Sequence, residues 1–177
     1  MEIGKLRRRD REIKNPDEIK EILSTQKVCH LAMCVDRQPY VIPMLYAYED
    51  NVLYFHCAEV GQKLDMLRQN PNVCFEILSI NSEDIVKNSD KPCDWGWEYE
   101  SVIGYGQAEI IDDRDVKIKA YNLFVDKLKP AGYVHREELY TEKKIKGTFI
   151  IRVTIESMTG KRWDGTKPQP NTQVNRG

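Results

Sequence analysis

Polar and apolar positions along the chain change period several times, and each change marks an element. Ile19, Ile22 and Leu23 recur at helical spacing behind Asn15-Pro16-Asp17. Asparagine caps a helix, proline suits its first turn, and an acid there meets the positive end of the dipole. A first helix therefore opens at Asn15 and ends near Thr25. From Val28 the pattern is that of strands. Val28–Val35 is apolar with His30 in its middle, Asp36-Arg37-Gln38-Pro39 is a turn, and Tyr40–Tyr48 is a second strand. Glu49-Asp50-Asn51 is a further turn and Val52–Cys57 a third strand. Links this short join antiparallel neighbours, so the three strands predict a meander. Pro43 lacks a ladder donor, which puts it at an edge or a bulge.

Gly61–Asn70, with Leu64 and Leu67 on one face, predicts a short helix that Asn70-Pro71 stops. Val73–Ile80 is a fourth strand. Asn81–Gly96 is polar and turn-rich, a long loop of the kind that often carries function. Glu98–Ile111 is a long strand in which Gly104 and Gly106 allow a bend or bulge. Asp115–Leu128 is a third helix. Thr148–Ile155 is a last strand, alternating Phe149, Ile151, Val153 and Ile155 against more polar neighbours. The fold class is mainly β, with helices flanking a small closed or nearly closed antiparallel barrel, because closure removes sheet edges. The domain spans Asn15–Trp163. Residues 1–14 precede it as an arm, and residues 164–177 follow as a tail, rich in proline and asparagine from Lys167 and expected to be disordered.

The length of 177 residues fits one such domain. The net charge of −1 argues against nucleic acid as a partner, since phosphate-tracking proteins carry a basic excess. The basic run Lys5–Arg9 is local and reads as a solvated arm. No apolar run approaches the roughly 20 residues of a membrane helix, and the charged N-terminus lacks a signal-peptide core. A cytoplasmic location with no membrane contact is expected, and five cysteines fit it as free thiols. None is spaced as CxxC, so no zinc site is expected. Cys29, Cys34, Cys57 and Cys74 read as small buried hydrophobes in strands.

The strongest local chemistry runs from Tyr54 to Lys63: a strand, a small-residue turn, and a lysine in the first turn of a helix. Free amides, the dipole and the lysine would together suit a phosphate, although a surface lysine on an exposed helix gives the same pattern. His56 sits just before that turn, where it would donate to phosphate, shuttle a proton, or simply be a hydrogen-bonded structural histidine. His30 reads as structural and His135 as exposed. Asp94-Trp95-Gly96-Trp97 offers two tryptophans that would wall a flat aromatic ligand or plug a barrel end. Met158-Thr159-Gly160-Lys161-Arg162-Trp163 combines a turn glycine, two cations and an aromatic, either a second ligand wall or a chain end packing down. There is no dinucleotide fingerprint, P-loop, GxSxG or catalytic triad, and no acidic metal cluster.

Taken in order, these segments resemble a known family. Cys29-His30-Leu31-Ala32-Met33, Gln38–Met44, Leu53-Tyr54-Phe55-His56, Gly61–Pro71 and Val73-Cys74-Phe75-Glu76 are similar to the pyridoxamine 5′-phosphate oxidase-like split-barrel flavoproteins. Cys93-Asp94-Trp95-Gly96, Tyr99–Gly106 and Met158-Thr159-Gly160-Lys161 point to the nitroimidazole-resistance branch. The likeness covers roughly Val28 to Trp163. It implies a six-stranded Greek-key split barrel that forms a homodimer, with FMN in each of two clefts at the interface. By that likeness Pro43, Met44, Leu45, Tyr46 and Ala47 line the isoalloxazine edge with backbone groups. His56, Cys57, Ala58 and Lys63 fall at the phosphate end. Trp95, Tyr99, Ser101 and a Gly160-Lys161 turn approach the flavin, partly from the second subunit. The histidine matching His56 is also the implied catalytic residue. Relatives often carry Ser or Thr at Cys57 and Arg at Glu100. The Arg/Trp-rich end of true pyridoxamine phosphate oxidases is missing after Trp163, which argues against vitamin B6 oxidation. The implied reaction is FMN-dependent reduction of a small flat acceptor, such as a nitroaromatic, with electrons from NAD(P)H and with Lys161 or backbone amides facing the charge on the reduced ring. The alternatives are a non-catalytic flavin- or haem-binding protein and a cofactor-free interaction domain.

Overall fold

Two-residue turns at positive φ set the frame. The computed structural model describes residues 6–80, 85–87, 89–134 and 145–165. After a short β1 (Glu12–Ile13) and helix α1 (Pro16–Thr25), β2 (Val28–Val35) and β3 (Gln38–Leu45) are joined by Asp36 and Arg37 at φ 50° and 63°. β4 (Ala47–Glu49) and β5 (Val52–Ala58) are joined by Asp50 and Asn51 at 48° and 63°. Tight hairpins need this handedness, and Asp and Asn tolerate it. The first turn is thus shorter than the Asp36–Pro39 turn expected from sequence. Helix α2 (Gln62–Gln69) and β6 (Asn72–Ile80) follow. Within the expected long loop, β7 (Val86–Lys87) and β8 (Trp95–Gly96) pair as a small ribbon. The chain continues through β9 (Tyr99–Ile111), α3 (Arg114–Leu128) and β10 (Thr148–Trp163). α1 is capped by Asn15 as the sequence suggests, and α3 by Asp113, which the sequence reading did not single out. Asn15 Oδ1 accepts from the Asp17 amide at 3.0 Å, and Asp113 Oδ1 accepts from Asp115 and Val116, both at 3.0 Å.

Apart from the ribbon, the strands form one eight-stranded sheet in the order β3-β2-β6-β9-β10-β5-β4, with β1 also on β10. The edges of that path, β3 and β4, are consecutive in the chain, with only Tyr46 between them. The sheet therefore curls until its two edges are halves of one bent strand, which gives the split barrel. The single strand expected over Tyr40–Tyr48 is broken at Tyr46, and the expected meander breaks with it. β2 pairs with β3 and β4 with β5, while β3 and β5 share no ladder among the described residues. Pro43 lies in the edge strand β3, where a missing donor is tolerated.

Tyr46 is fully buried at this corner. Its hydroxyl donates to the Leu23 carbonyl at 2.7 Å, near the end of α1. Lys127 of α3 donates to the same oxygen at 3.0 Å, and its Nζ stands 3.4 Å from the Tyr46 ring centroid. Burial pushes the Tyr46 phenol up and the Lys127 ammonium down to about 8.

β9 pairs with β10 along its whole length, from Ile111 opposite Ile150 to Tyr99 opposite Trp163, with the register slipping between Ile155 and Ser157. The last strand thus runs well past Ile155. Gly160, expected in a turn, is a strand residue. A Cβ there would stand 2.8 Å from Ile19 Cγ1, so the glycine serves close packing under α1. The irregularity expected at Gly104 and Gly106 lies on β10 instead, and those two glycines make room for the Phe75 ring and the Thr154 carbonyl.

Two apolar cores result. The barrel interior holds Leu31, Leu53, Phe55, Phe75, Val102 and Val153, closed by Leu64 and Leu67 of α2 and by Ile22 and Leu23 of α1. On the outside of β5 and β10, Tyr54 and Ile150 meet Ala120 and Phe124 of α3. The segment before α1 is partly built in: Ile13 is buried, Glu12 and Ile13 pair with Lys161 and Gly160, and the Arg11 guanidinium lies 5.0 Å from the Trp163 ring centroid.

Replacing Tyr46 by Phe removes one buried donor while keeping the ring. It should lower unfolding free energy by about 1 kcal/mol. Tyr46→Ala should cost several times that. Equilibrium urea unfolding checks both values.

Candidate functional site

α2 begins without a side-chain cap. Gly61 occupies the cap position at φ 135° and ψ 159°, a conformation that excludes ordinary side chains, and a Cβ there would meet nothing within 4 Å. The Leu64 and Asp65 amides return to the Gly61 carbonyl at 2.9 and 3.3 Å. The amides of Gln62 and Lys63 come earlier in the first turn, where no intrahelical acceptor exists. Ala58, Glu59 and Val60 leading into this corner are all exposed. Cys57 turns the other way, into the barrel core, and burial raises its thiol while the Lys63 charge pulls it back. Lys63 and the free amides therefore share one corner, as a phosphate site requires, while the Cys57 thiol lies behind it in the core.

His56 faces away from Cys57, as successive strand residues must. Its imidazole lies against α3, edge-on to Phe124 with ring centroids 5.0 Å apart and 6.2 Å from Tyr121. Desolvation by these neighbours lowers its pKa. The Tyr121 hydroxyl is itself paired with Thr148 Oγ1 at 2.5 Å.

A second group of the expected residues shares the outer face of the sheet. Registers place Pro43, His30, Glu76, Ile103 and Thr159 in one row across five strands. Ser101 pairs with Leu78 on one side and Lys161 on the other, and Lys161 Nζ lies 5.9 Å from the Tyr99 ring centroid. Pro43, Leu45, Tyr99, Ser101 and Lys161 thus look outward. Met44 and Tyr46 point inward, Met44 packing against the core. Within one chain the phosphate corner and the Tyr99–Ser101–Lys161 group sit on different parts of the barrel. Trp95 is 39% exposed on the ribbon, with its indole N–H donating to the Ser89 carbonyl at 2.9 Å, while Trp163 packs where a Gly96 side chain would be.

Glu100 is not replaced by a free cation nearby. Arg162, directly across the ladder, donates to Glu100 at 2.6 Å and to Glu18 at 2.8 Å, and its charge is consumed there. Cys29 and Cys57 are buried as expected, and burial pushes the Cys29 thiol up to about 12. Cys34 is exposed and Cys74 half-buried, contrary to expectation, because both stand on the outward parity of their strands. Among the described residues no group of His, Cys, Asp and Glu could hold a metal, and no helix is long and apolar enough to cross a membrane. His135 and residues 166–177 lie outside the described residues.

Sequence reasoning missed the outer face itself. Val41, Leu45, Leu78, Ile80 and Ile103 are between 38% and 60% exposed there. A signal was present, since Val28–Met33 is apolar at both parities, the mark of a strand covered on both faces.

The family model described as pyridoxamine 5′-phosphate oxidase matches residues 15–162. The uncharacterized protein RA0666 of Rhizobium meliloti is 37% identical over 67 residues, which is 37% of this chain and 43% of that relative, so the match spans less than half of its length. A Bacteroides thetaiotaomicron structure, provisionally described as a 5-nitroimidazole antibiotic resistance protein, superposes with a TM-score of 0.69 at 24% identity over 85% of this chain and 86% of that one. The flavocytochrome Anf3 of Azotobacter vinelandii gives 0.72 at 22% identity over 89% and 70%. An FAD-binding protein of Mesorhizobium loti gives 0.62 at 23% over 87% and 98%. At such identities the likeness carries the fold.

The environment of His56 is testable by NMR. Its imidazole should titrate below the ordinary 6.5, and Phe124→Ala should move it back up by readmitting water. Because the folded value is the lower one, the stability His56 contributes is full above 6.5 and is lost as pH falls through its folded value.

Proposed function

Because the chain belongs to the pyridoxamine 5′-phosphate oxidase family, we propose that it is an FMN-dependent oxidoreductase. It would act as a homodimer and reduce a small flat acceptor, such as a nitroaromatic, with electrons from NAD(P)H. The carrying observation is the uncapped start of α2. Gly61 leaves open the space a Cβ would fill, two amides lack helical acceptors, and Lys63 adds a formal charge. One helix end and one lysine suit a single phosphate monoester, which fits FMN better than the diphosphate of FAD. A flavin is further supported by the fold shared with an FAD-binding protein and a flavocytochrome, and a nitroaromatic by the fold shared with the provisional nitroimidazole resistance protein.

When bound, the flavin supplies the hydride or electron exchange. The chain's own part is to bind, orient and manage charge. Lys63 and the amides of Gln62 and Lys63 would hold the phosphate. Pro43, Met44, Leu45 and Tyr46 would offer backbone groups to the ring edge, with Tyr46 keeping that stretch rigid from the core side. Tyr99, Ser101 and Lys161, remote from the phosphate corner in one chain, would complete the cleft of a second chain. Trp95 would wall it. His56, neutral near pH 7 beside Phe124, would offer its one ring N–H to the acceptor as a hydrogen-bond donor.

A second reading, binding of flavin or haem without turnover, has specific support in the flavocytochrome and in the fold shared with an FAD- and haem-binding protein of Mycobacterium smegmatis (TM-score 0.71, 17% identity). Anaerobic NADPH addition separates the two. Bleaching of the yellow protein, and its recolouring by a nitroimidazole, marks the enzyme. A Soret band marks the haem protein.

The phosphate corner has its own test. Lys63→Ala should weaken FMN binding by about ten- to a hundredfold, the worth of one charge-assisted contact, and leave riboflavin binding within about twofold. Flavin fluorescence quenching reads both. Equal losses for the two ligands, or no uptake of either, would remove this corner from the site.

A further inference from the structure

The wall that carries Lys161 holds a second cation to which the proposed function gives no task. On the outward side of β9 and β10, Tyr99 stands across the ladder from Trp163, and Ser101 from Lys161. On the other side of β10, β1 places Glu12 across from Lys161. Partners in register share a face, so these side chains form one wall. A cation stands at each of its two aromatic rings. Lys161 Nζ lies 5.9 Å from the Tyr99 ring centroid, and the Arg11 guanidinium lies 5.0 Å from that of Trp163. Arg11, Tyr99, Lys161 and Trp163 are all half-buried.

The charges around this wall are matched, with one exception. Arg8 grips Asp10 through two hydrogen bonds, at 2.8 and 2.5 Å, and these hold the Asp10 carboxyl down at about 2. Arg162, on the opposite face of β10, is taken by Glu100 and Glu18. Lys161 has Glu12 as its cross-strand neighbour of opposite sign. Arg11 has no carboxylate bound to it among the described residues. Its backbone amide donates to the Arg8 carbonyl at 3.1 Å, while its side-chain Nε is shut off from solvent and makes no hydrogen bond. A guanidinium presents a planar fork of donors that matches a carboxylate, and a half-buried one without an acceptor is unusual. The surplus charge of the wall is therefore that of Arg11, and it stands beside two aromatic rings. A neutral flat ligand would use the rings and leave the guanidinium idle. A flat ring bearing a carboxylate would use both.

We propose that this wall selects a flat aromatic acceptor carrying a carboxylate, and that Arg11 is the specificity-determining residue that pairs with it. This rests on the oxidoreductase reading given under the proposed function and names the class of its acceptor. The ring would lie along Tyr99 and Trp163, and the carboxylate would meet the Arg11 fork. The carboxylate takes no part in the electron transfer. Two electrons and two protons turn the nitro group of such an acceptor into nitroso and release water, as they would for a neutral one. The nicotinamide donor and the flavin phosphate are anions too, so three anions could claim Arg11, and each has its own readout.

4-Nitrobenzoate and its neutral isostere 4-nitrobenzamide test the proposal. The flavin-loaded full-length protein is reduced with dithionite, with no dinucleotide present, and its reoxidation by each compound is followed by stopped-flow absorbance. The half-saturating concentration is compared rather than the rate, because the two compounds differ in intrinsic reactivity. It should be at least about tenfold lower for nitrobenzoate, the worth of one charge-assisted contact. In Arg11→Gln the two values should come within about twofold of each other, while Arg11→Lys should keep part of the preference. Equal values in the unaltered protein overturn the proposal, as does a preference that survives Arg11→Gln with circular dichroism unchanged. If Arg11→Gln instead raises the half-saturating NADPH concentration, or weakens FMN binding and spares riboflavin, with the nitrobenzoate preference intact, Arg11 serves the donor or the cofactor phosphate and the proposal falls. A protein that takes up flavin and passes electrons to neither compound overturns the oxidoreductase reading. Quenching of tryptophan fluorescence then reads the wall without turnover: tighter binding of nitrobenzoate, lost in Arg11→Gln, supports the carboxylate site, and equal binding of the two compounds overturns it.

Discussion

A sheet whose first and last strands are neighbours in the chain must reverse its course at one point, and here that point is Tyr46. The backbone passes there from one edge of the sheet to the other, so the whole barrel closes only if this residue is held still. The holding is threefold. The phenol oxygen is tied to the end of α1 through Leu23, the ring is covered by the Lys127 ammonium, and Lys127 reaches the same carbonyl from α3. Two helices from distant parts of the chain thus meet over a single carbonyl oxygen. A half-buried lysine is costly to desolvate, and the fold accepts that cost where a cation can satisfy a helix C-terminus and an aromatic face at once. The position of β5, and with it the corner where α2 begins, follows from that closure.

The second organising fact is that most strands are asked to serve two faces. Alternate residues of β2, β6 and β9 fill the barrel, while the residues between them, a mixture of apolar and polar, point outward. The proposed ligand-binding residues divide along the same line. Cys57 and Met44 belong to the interior side, and Pro43, Ser101 and Lys161 to the exterior.

Much of this was legible in the sequence, for reasons that differ by element. α1 announced itself through a cap whose side chain does accept the expected amide, whereas the Asp113 cap of α3 emerged only from the structure. The class of the fold followed from short links that leave no room for parallel crossovers. The break at Tyr46 was not legible, because a buried tyrosine inside an apolar run looks like any strand residue, and what bends the chain is a contact with a lysine 81 positions away in sequence (127 − 46). The end of β10 was misplaced because Gly160 carries two meanings. A glycine reads as a turn when only the local chain is seen, and it reads as a close contact once Ile19 is known to lie above it. At the candidate site the Gly61–Lys63 corner could be seen in advance, since its parts are consecutive. The partnership of Arg162 with Glu100 and Glu18 could not, since three separate elements create it.

The slip between Ile155 and Ser157 is one residue long, and Glu156 is the residue left without an opposite number. Before it, odd-numbered residues of β10 such as Ile151 and Val153 look inward; after it, the even-numbered Met158 and Gly160 do. The slip is a phase inverter in the strand. It lets a single continuous ladder seal the barrel with its first half and present Thr159 and Lys161 to the exterior with its second. Were Glu156 instead taken up as an ordinary rung, the second half would shift by one residue, aiming Lys161 at the hydrophobic interior and Gly160 at the exterior.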